Sequence, residues 1–262
     1  MKLELYQIDA FTDTIFGGNP ACVVPLKKWL PDEILLKITK ENAVAETAFF
    51  VDKGEKIHLR WFTPEIEMDL CGHATLATAH CLKTILGYES NKIIFETLSG
   101  DLTVIIEGDF YILDFPSRMP TVSSLPENIS KALNIQPKEV LKSRDYVLVY
   151  DTEEDVKNIV INKQFFDEIN LDTGGVIVTA KGENCDFVSR FFTPQASILE
   201  DPVTGSAHCS LIPFWANRLH KSELSAIQIS ERRGKLICID KGNRVLISGQ
   251  ARTYSIGNLW IE

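Results

Sequence analysis

Leu3, Leu5 and Ile8 alternate with polar residues, and a second apolar run covers residues 19–26. The period of two predicts strands over 3–12 and 19–26, joined by Thr12 to Gly18. Gly17-Gly18-Asn19-Pro20 reads as a turn in which backbone comes close to a neighbour. From Pro31-Asp32-Glu33 the spacing becomes helical, with Ile34, Leu35 and Ile38 on one side and an end near Asn42. Residues 43–51 read as a loop feeding a strand, and 57–62 as another strand. An apolar run from Gly72 to Leu86, rich in alanine and leucine, predicts an enclosed helix. Strands follow over 92–98, 102–107 and 111–115, turned at Gly100-Asp101 and Gly108-Asp109. Beyond them the pattern predicts a strand over 145–150, a helix over 153–166 and strands over 175–180 and 186–192. A helix over 205–220 is apolar on nearly every side, which marks it as buried. Pro213 lies inside it and is expected to kink it or break its hydrogen-bond ladder. Strands over 226–230, 235–239 and 244–248 complete the series.

The two predicted helices belong to a repeat. Arg60-Trp61-Phe62-Thr63-Pro64 precedes a polar loop and Cys71-Gly72-His73-Ala74; Arg190-Phe191-Phe192-Thr193-Pro194 precedes a longer loop and Thr204-Gly205-Ser206-Ala207. The order of elements around them also matches, so the chain reads as a pseudo-duplicate. The expected fold is α+β: two pseudo-symmetric domains, each a strongly bent, mostly antiparallel sheet wrapped around a central apolar helix. Pro116-Ser117-Arg118-Met119-Pro120 marks the boundary, giving domains over 1–117 and 118–250. Residues 251–262 either close the second sheet or cross back to the first domain.

Composition narrows the function. A net charge of −9 over 262 residues argues against general nucleic-acid binding. The first residues lack the apolar core of a signal peptide, and no apolar run reaches membrane-spanning length, so a cytoplasmic protein is expected. Six cysteines without a Cys-x-x-Cys pair, and histidines at spacings unlike zinc motifs, predict neither a disulfide framework nor a structural metal.

Four residues stand out chemically. Glu46 is the only charge in the apolar stretch 43–51. It reads either as a strand-end carboxylate turned to water or as a partly buried acid with a raised pKa, suited to taking and returning a proton. The second half has no matching lone carboxylate in an apolar stretch between Ile169 and Val176, where Asp172 stands in a polar, glycine-rich turn. His73, at a helix start, is either an ordinary terminal polar residue or a substrate-binding and proton-relay group whose imidazole the helix dipole keeps neutral. Asp201 and Ser206 flank the second helix start, where capping is the competing role. Both helices begin with glycine, at Gly72 and Gly205, and their free N–H groups attract anions, so a carboxylate can bind there without an arginine. If the halves face each other, these residues converge on one cleft.

Phe11-Thr12 with Gly18-Asn19-Pro20, Glu46-Thr47-Ala48-Phe49, Phe62-Thr63-Pro64 with Cys71-Gly72-His73-Ala74-Thr75, and Glu200-Asp201-Pro202-Val203-Thr204-Gly205-Ser206-Ala207 occur in one order along the chain. Together they resemble the phenazine-biosynthesis PhzF family over essentially the whole sequence. The resemblance implies the diaminopimelate epimerase fold, with Glu46 as the acid/base residue. It assigns His73, Asp201 and Ser206 to binding a small anionic metabolite; Gly72 and Gly205, at the helix starts, and Asn19 are expected to bind it as well, and a homodimer is possible. It further implies an isomerase acting without metal or organic cofactor, of the type that isomerises trans-2,3-dihydro-3-hydroxyanthranilate. The related epimerases place a cysteine before each glycine-led helix; here Cys71 holds the first position but Thr204 the second. A hydroxyl is too weak an acid to replace the second thiol, which argues against inversion by a cysteine pair. A racemase using Glu46 and Cys71, and a non-catalytic binder on the same frame, are the alternatives.

Overall fold

In a computed structural model describing all 262 residues, the alternating start of the chain forms β1 (Lys2–Ala10), antiparallel to β2 (Asn19–Leu26). Helix α1 (Asp32–Asn42) carries the chain back over the sheet, so that β3 (Glu46–Asp52) lies parallel to β2 with Ala21 opposite Glu46. Ala43 ends α1 in the left-handed region at φ 52°. Strand β4 (Ile57–Phe62) is antiparallel to β3, and the short β5 (Glu67–Met68) folds against β4. Helix α2 (Gly72–His80) follows, with all of its residues buried. It packs on β1, β2 and β3, which is why alanine, threonine and leucine can occupy every side of it. A π-helical turn, Cys81–Ile85, replaces the final turn expected up to Leu86. Strand β6 (Lys92–Thr97) is parallel to β4 and continues into the antiparallel β7 (Gly100–Glu107) and β8 (Phe110–Pro116).

The second half repeats this plan. After β9 (Thr121–Val122), α3 (Glu127–Ala132) and β10 (Glu139–Lys142), strand β11 (Tyr146–Val149) runs antiparallel to β10. Two short helices, α4 (Glu153–Lys157) and α5 (Lys163–Phe166), form the crossover to β12 (Val176–Lys181), parallel to β11. The single helix expected over 153–166 is divided because each piece has its own caps. Thr152 and Asp155 form a capping box at α4, and the Asn162 side chain caps α5. Strand β13 (Phe187–Phe192) is antiparallel to β12, and β14 (Glu200–Asp201) folds against it. Helix α6 (Gly205–Leu219) comes next, then β15 (Glu223–Gln228) parallel to β13, β16 (Gly234–Asp240) antiparallel to β15, and β17 (Arg244–Gly249). The last strand, β18 (Ala251–Trp260), pairs antiparallel with β1 along its whole length.

Two units result: Met1–Phe115 with Ile247–Glu262, and Pro116–Leu246. Both are mixed, mostly antiparallel sheets around a buried central helix, an α+β architecture. Helix α6 runs through Pro213 without interruption. Proline has no N–H to donate to the Cys209 carbonyl one turn back, and the backbone N–H of Arg118 donates to that oxygen instead, at 2.8 Å.

Each copy of the repeat also builds the same ion pair. The Arg60 guanidinium donates to both Glu67 oxygens at 2.7 and 2.6 Å and lies 5.0 Å from the Phe62 ring centre. The Arg190 guanidinium donates to both Glu200 oxygens at 2.8 Å and lies 4.9 Å from the Phe192 ring centre. Glu200 is therefore a structural partner inside its motif. Arg190 Nη1 also donates to the carbonyls of Val156, Lys157 and Ile159, which closes the C-terminal end of α4.

Candidate active site

The first strand exchange places Asn19, Glu46 and the start of α2 together. Asn19 opens β2 opposite Ala10, and Glu46 opens β3. The loop before Asn19 is tightly held. Gly18 has φ +60°, and a Cβ there would stand 2.0 Å from the Ala10 carbonyl oxygen, so only glycine fits. The nearly buried Asp9 carboxylate accepts from the Phe16 N–H at 2.8 Å. Beside Glu46, the Asn42 amide donates to Thr47 Oγ1 at 3.0 Å, tying the end of α1 to the start of β3.

His73, the second residue of α2, meets both of these strands. Its Nε2 lies 3.1 Å from Glu46 Oε2 and its Nδ1 lies 3.1 Å from Asn19 Nδ2. The imidazole is 2% exposed and the glutamate side chain 12%. The Glu46 contact is short but off line, and neither Nε2 nor the buried Oε2 has a well-directed hydrogen bond, so it is an ionic approach. Cys71 Sγ is 3.7 Å from His73 Nδ1.

Burial works to lower the pKa of His73, but Cys71 and the Glu46 carboxylate outweigh it and hold the value well above the ordinary histidine range. Burial, together with the Glu46 charge, pushes the Cys71 thiol up to about 11. At neutral pH that sulfur is uncharged, so Glu46 supplies the attraction that matters there. This reverses the expectation that the helix dipole keeps His73 neutral: a carboxylate in contact exceeds the half-charge of a helix end.

The donor atoms of Glu46, Cys71 and His73 lie within 4.8 Å of one another, the spacing of metal ligands. However, the carboxylate faces Nε2 and the sulfur faces Nδ1. A ring nitrogen binds a metal along its in-plane lone pair, so the two donors address opposite nitrogens and one shared ion would require the ring to turn. The arrangement suits proton transfer.

In the second unit, Asp201, Gly205 and Ser206 meet at the start of α6. Neither α2 nor α6 has a side-chain cap, since Cys71 and Thr204 occupy the cap positions without capping bonds. Thr204 Oγ1 instead donates to Asp201 Oδ2, while the Gln228 side chain accepts from the Thr204 N–H at 2.8 Å and donates to the Asp201 carbonyl at 2.7 Å. Ser230 donates to the Pro202 carbonyl at 2.7 Å. Val203 packs where a side chain at residue 234 would project: a Cβ on Gly234 would stand 2.3 Å from Val203 Cγ2. Buried His208 bonds the Thr204 carbonyl at 2.8 Å through Nδ1, and burial lowers its pKa to about 4.

Arg144 was missed by sequence reasoning. Its Nη2 donates to Ser206 Oγ at 3.0 Å, and its Nε lies 3.3 Å from Asp145 Oδ1, which also accepts from the Gly175 N–H. An arginine therefore does stand at this glycine-led helix start. In the sequence it sits within Lys142-Ser143-Arg144-Asp145, a polar turn indistinguishable from a solvated loop.

Residues 8–257 match the family model described as PhzC-PhzF, phenazine biosynthesis-like protein. An uncharacterized isomerase of Pseudomonas aeruginosa is 48% identical, covering 99% of each chain. A crystal structure of a PhzF-family phenazine biosynthesis protein from Enterococcus faecalis superposes with a TM-score of 0.93 at 43% identity, covering 100% of both chains. A hydroxyproline epimerase from Agrobacterium vitis shares the fold, with a TM-score of 0.62 at 10% identity over 98% of this chain and 92% of that one. On this evidence of sequence, fold and motif order, the chain belongs to the PhzC/PhzF phenazine biosynthesis-like family and is an isomerase.

Proposed function

We propose that the protein moves a proton between carbons of a small carboxylate-bearing metabolite, with Glu46 as the single acid/base group. The contact between Glu46 Oε2 and His73 Nε2 carries this reading. It commits the buried oxygen to the histidine and leaves Oε1 for the substrate. Glu46 Oε1 takes a proton from one carbon, the bonding pair moves into a new double bond, and the allylic double bond shifts. The same oxygen then returns the proton to the far carbon on the same face.

The spacing at Cys71 supports one base over two. Bases on opposite faces of a carbon, each about 3–3.5 Å from it, stand roughly 6–7 Å apart. The sulfur and carboxylate oxygen here are within 4.8 Å. The resemblance extends the proposal to a substrate of the trans-2,3-dihydro-3-hydroxyanthranilate type, bound through Gly72, His73, Asp201, Gly205 and Ser206. Incubating that compound with enzyme in D2O tests the reading: a rearranged product is expected. An α-inverted product from a chiral amino acid would favour the racemase, and binding with neither rearrangement nor deuterium exchange would favour the non-catalytic binder.

A further inference from the structure

We propose that Asn19 is a positioning residue that acts through His73, its amide selecting which imidazole nitrogen keeps the proton facing Glu46. The functional meaning rests on Glu46 as the base; the geometry does not depend on any substrate. Asn19 is fully buried, and the loop before it is pinned by Gly18 and Asp9. Its Nδ2 lies 3.1 Å from His73 Nδ1, on the opposite side of the ring from Glu46.

A neutral imidazole has one N–H and one bare nitrogen. An amide NH2 only donates, so this contact is satisfied only with Nδ1 bare. The single ring proton then sits on Nε2, toward Glu46. Cys71 Sγ, the other neighbour of Nδ1, serves as a weak donor or a weak acceptor and makes no choice. Glu46 on β3 and Cys71 before α2 are the titratable groups facing the ring, and Asn19 on β2 is uncharged. Nε2 consequently carries a proton in both charge states of the ring. The ring N–H then points toward the carboxylate proposed as the base.

Two-bond proton–nitrogen spectra of the free enzyme, labelled with 15N-histidine and titrated with base, provide the test. Once His73 is neutral, Nε2 is expected to be protonated and Nδ1 bare. In the isosteric Asn19→Asp, a carboxylate acceptor replaces the donor, so Nδ1 should stay protonated to distinctly higher pH. In turnover, kcat should fall at least tenfold with a smaller change in KM. A wild-type neutral ring with its proton on Nδ1 overturns the proposal, and this measurement decides even if the variant does not fold. An Asn19→Asp spectrum that titrates like wild type also overturns it. Glu46→Gln separates the two readings: an active Glu46→Gln enzyme removes the base, whereas the Asn19–His73 tautomer is read independently of turnover.

Discussion

Glu46 and His73 form one electrostatic unit, so a change at either is expected to move both. Glu46→Gln keeps the shape of the side chain and removes the proposed base; activity should drop about 10²–10⁴-fold with little change in melting temperature. The same variant removes the attraction that holds the His73 pKa up, and burial then prevails. The sign follows from linkage. A histidine with a raised native pKa stabilises the fold fully below its unfolded value of about 6.5, and that contribution is lost as pH rises through the native value. Denaturant unfolding above pH 6.5 should show this loss in wild type and a flatter profile in Glu46→Gln. His208 has the opposite sign, because burial lowers its pKa to about 4. Its stabilising neutral form is complete above about 6.5 and is lost as pH falls toward 4, so His208→Gln should flatten the acid side. Cys71, pushed up to about 11, is a thiol at neutral pH, and Cys71→Ser should keep activity within roughly tenfold. Complete inactivation with the fold intact would favour the racemase. Arg144→Met should raise KM more than it lowers kcat if Ser206 binds substrate, since it removes the donor to that hydroxyl.

The repeated Arg-aromatic-Phe-Thr-Pro segment is a folding device, and its two arginines carry unequal duties. Arg60 joins β4 to β5 through Glu67 and reaches the exposed Asp32 of α1 at 3.0 Å; Arg190 joins β13 to β14 through Glu200 and also closes α4 through three backbone carbonyls. Both pairs are mostly buried, at 16% and 21% exposure in the first and 14% and 24% in the second. Removing one partner leaves a poorly solvated charge behind, and charged hydrogen bonds contribute about 1.5–3 kcal/mol each. Glu67→Gln and Glu200→Gln should each destabilise the protein by about 2 kcal/mol in denaturant unfolding. Arg190→Met should exceed Arg60→Met, since it also frees the carbonyls of Val156, Lys157 and Ile159. Equal losses would show that the α4 contacts contribute nothing measurable.

Strand β18 joins the two ends of the chain. It pairs with β1 from Lys2–Trp260 to Ala10–Ala251, with a register shift after Gln7, and Thr253 Oγ1 meets His80 Nε2 at 3.0 Å. Truncation after Gln250 would expose the hydrogen-bonding edge of β1 and remove part of the cover over α2. The shortened chain should lose the protection of the Met1–Phe115 segment to limited proteolysis, or become insoluble. Unchanged solubility and cleavage would show that β18 is dispensable. No helix is long and apolar enough to cross a membrane.

Most strands and both central helices were legible because their apolar periods are strong and the repeat supplied each assignment twice. Glu46 was legible as a candidate because it is a lone charge in an apolar stretch, and His73 because the repeat sets it at a glycine-led helix start, in the place that Ser206 holds in the second copy. Their 3.1 Å approach was not, because it depends on the β2–α1–β3 crossover and on the register that sets Glu46 opposite Ala21. The direction of the His73 pKa followed from that contact, which no local rule contains. Arg144 stayed hidden in a polar turn until folding set it beside Ser206. The continuous α6 at Pro213 depended on a donor from Arg118, far away in sequence. The destination of residues 251–262 depended on the edge of β1. Local pattern is set by neighbours along the chain, which the sequence contains directly; hydrogen-bond partners, strand edges and facing charges are supplied by distant segments, and only the folded chain brings them within reach.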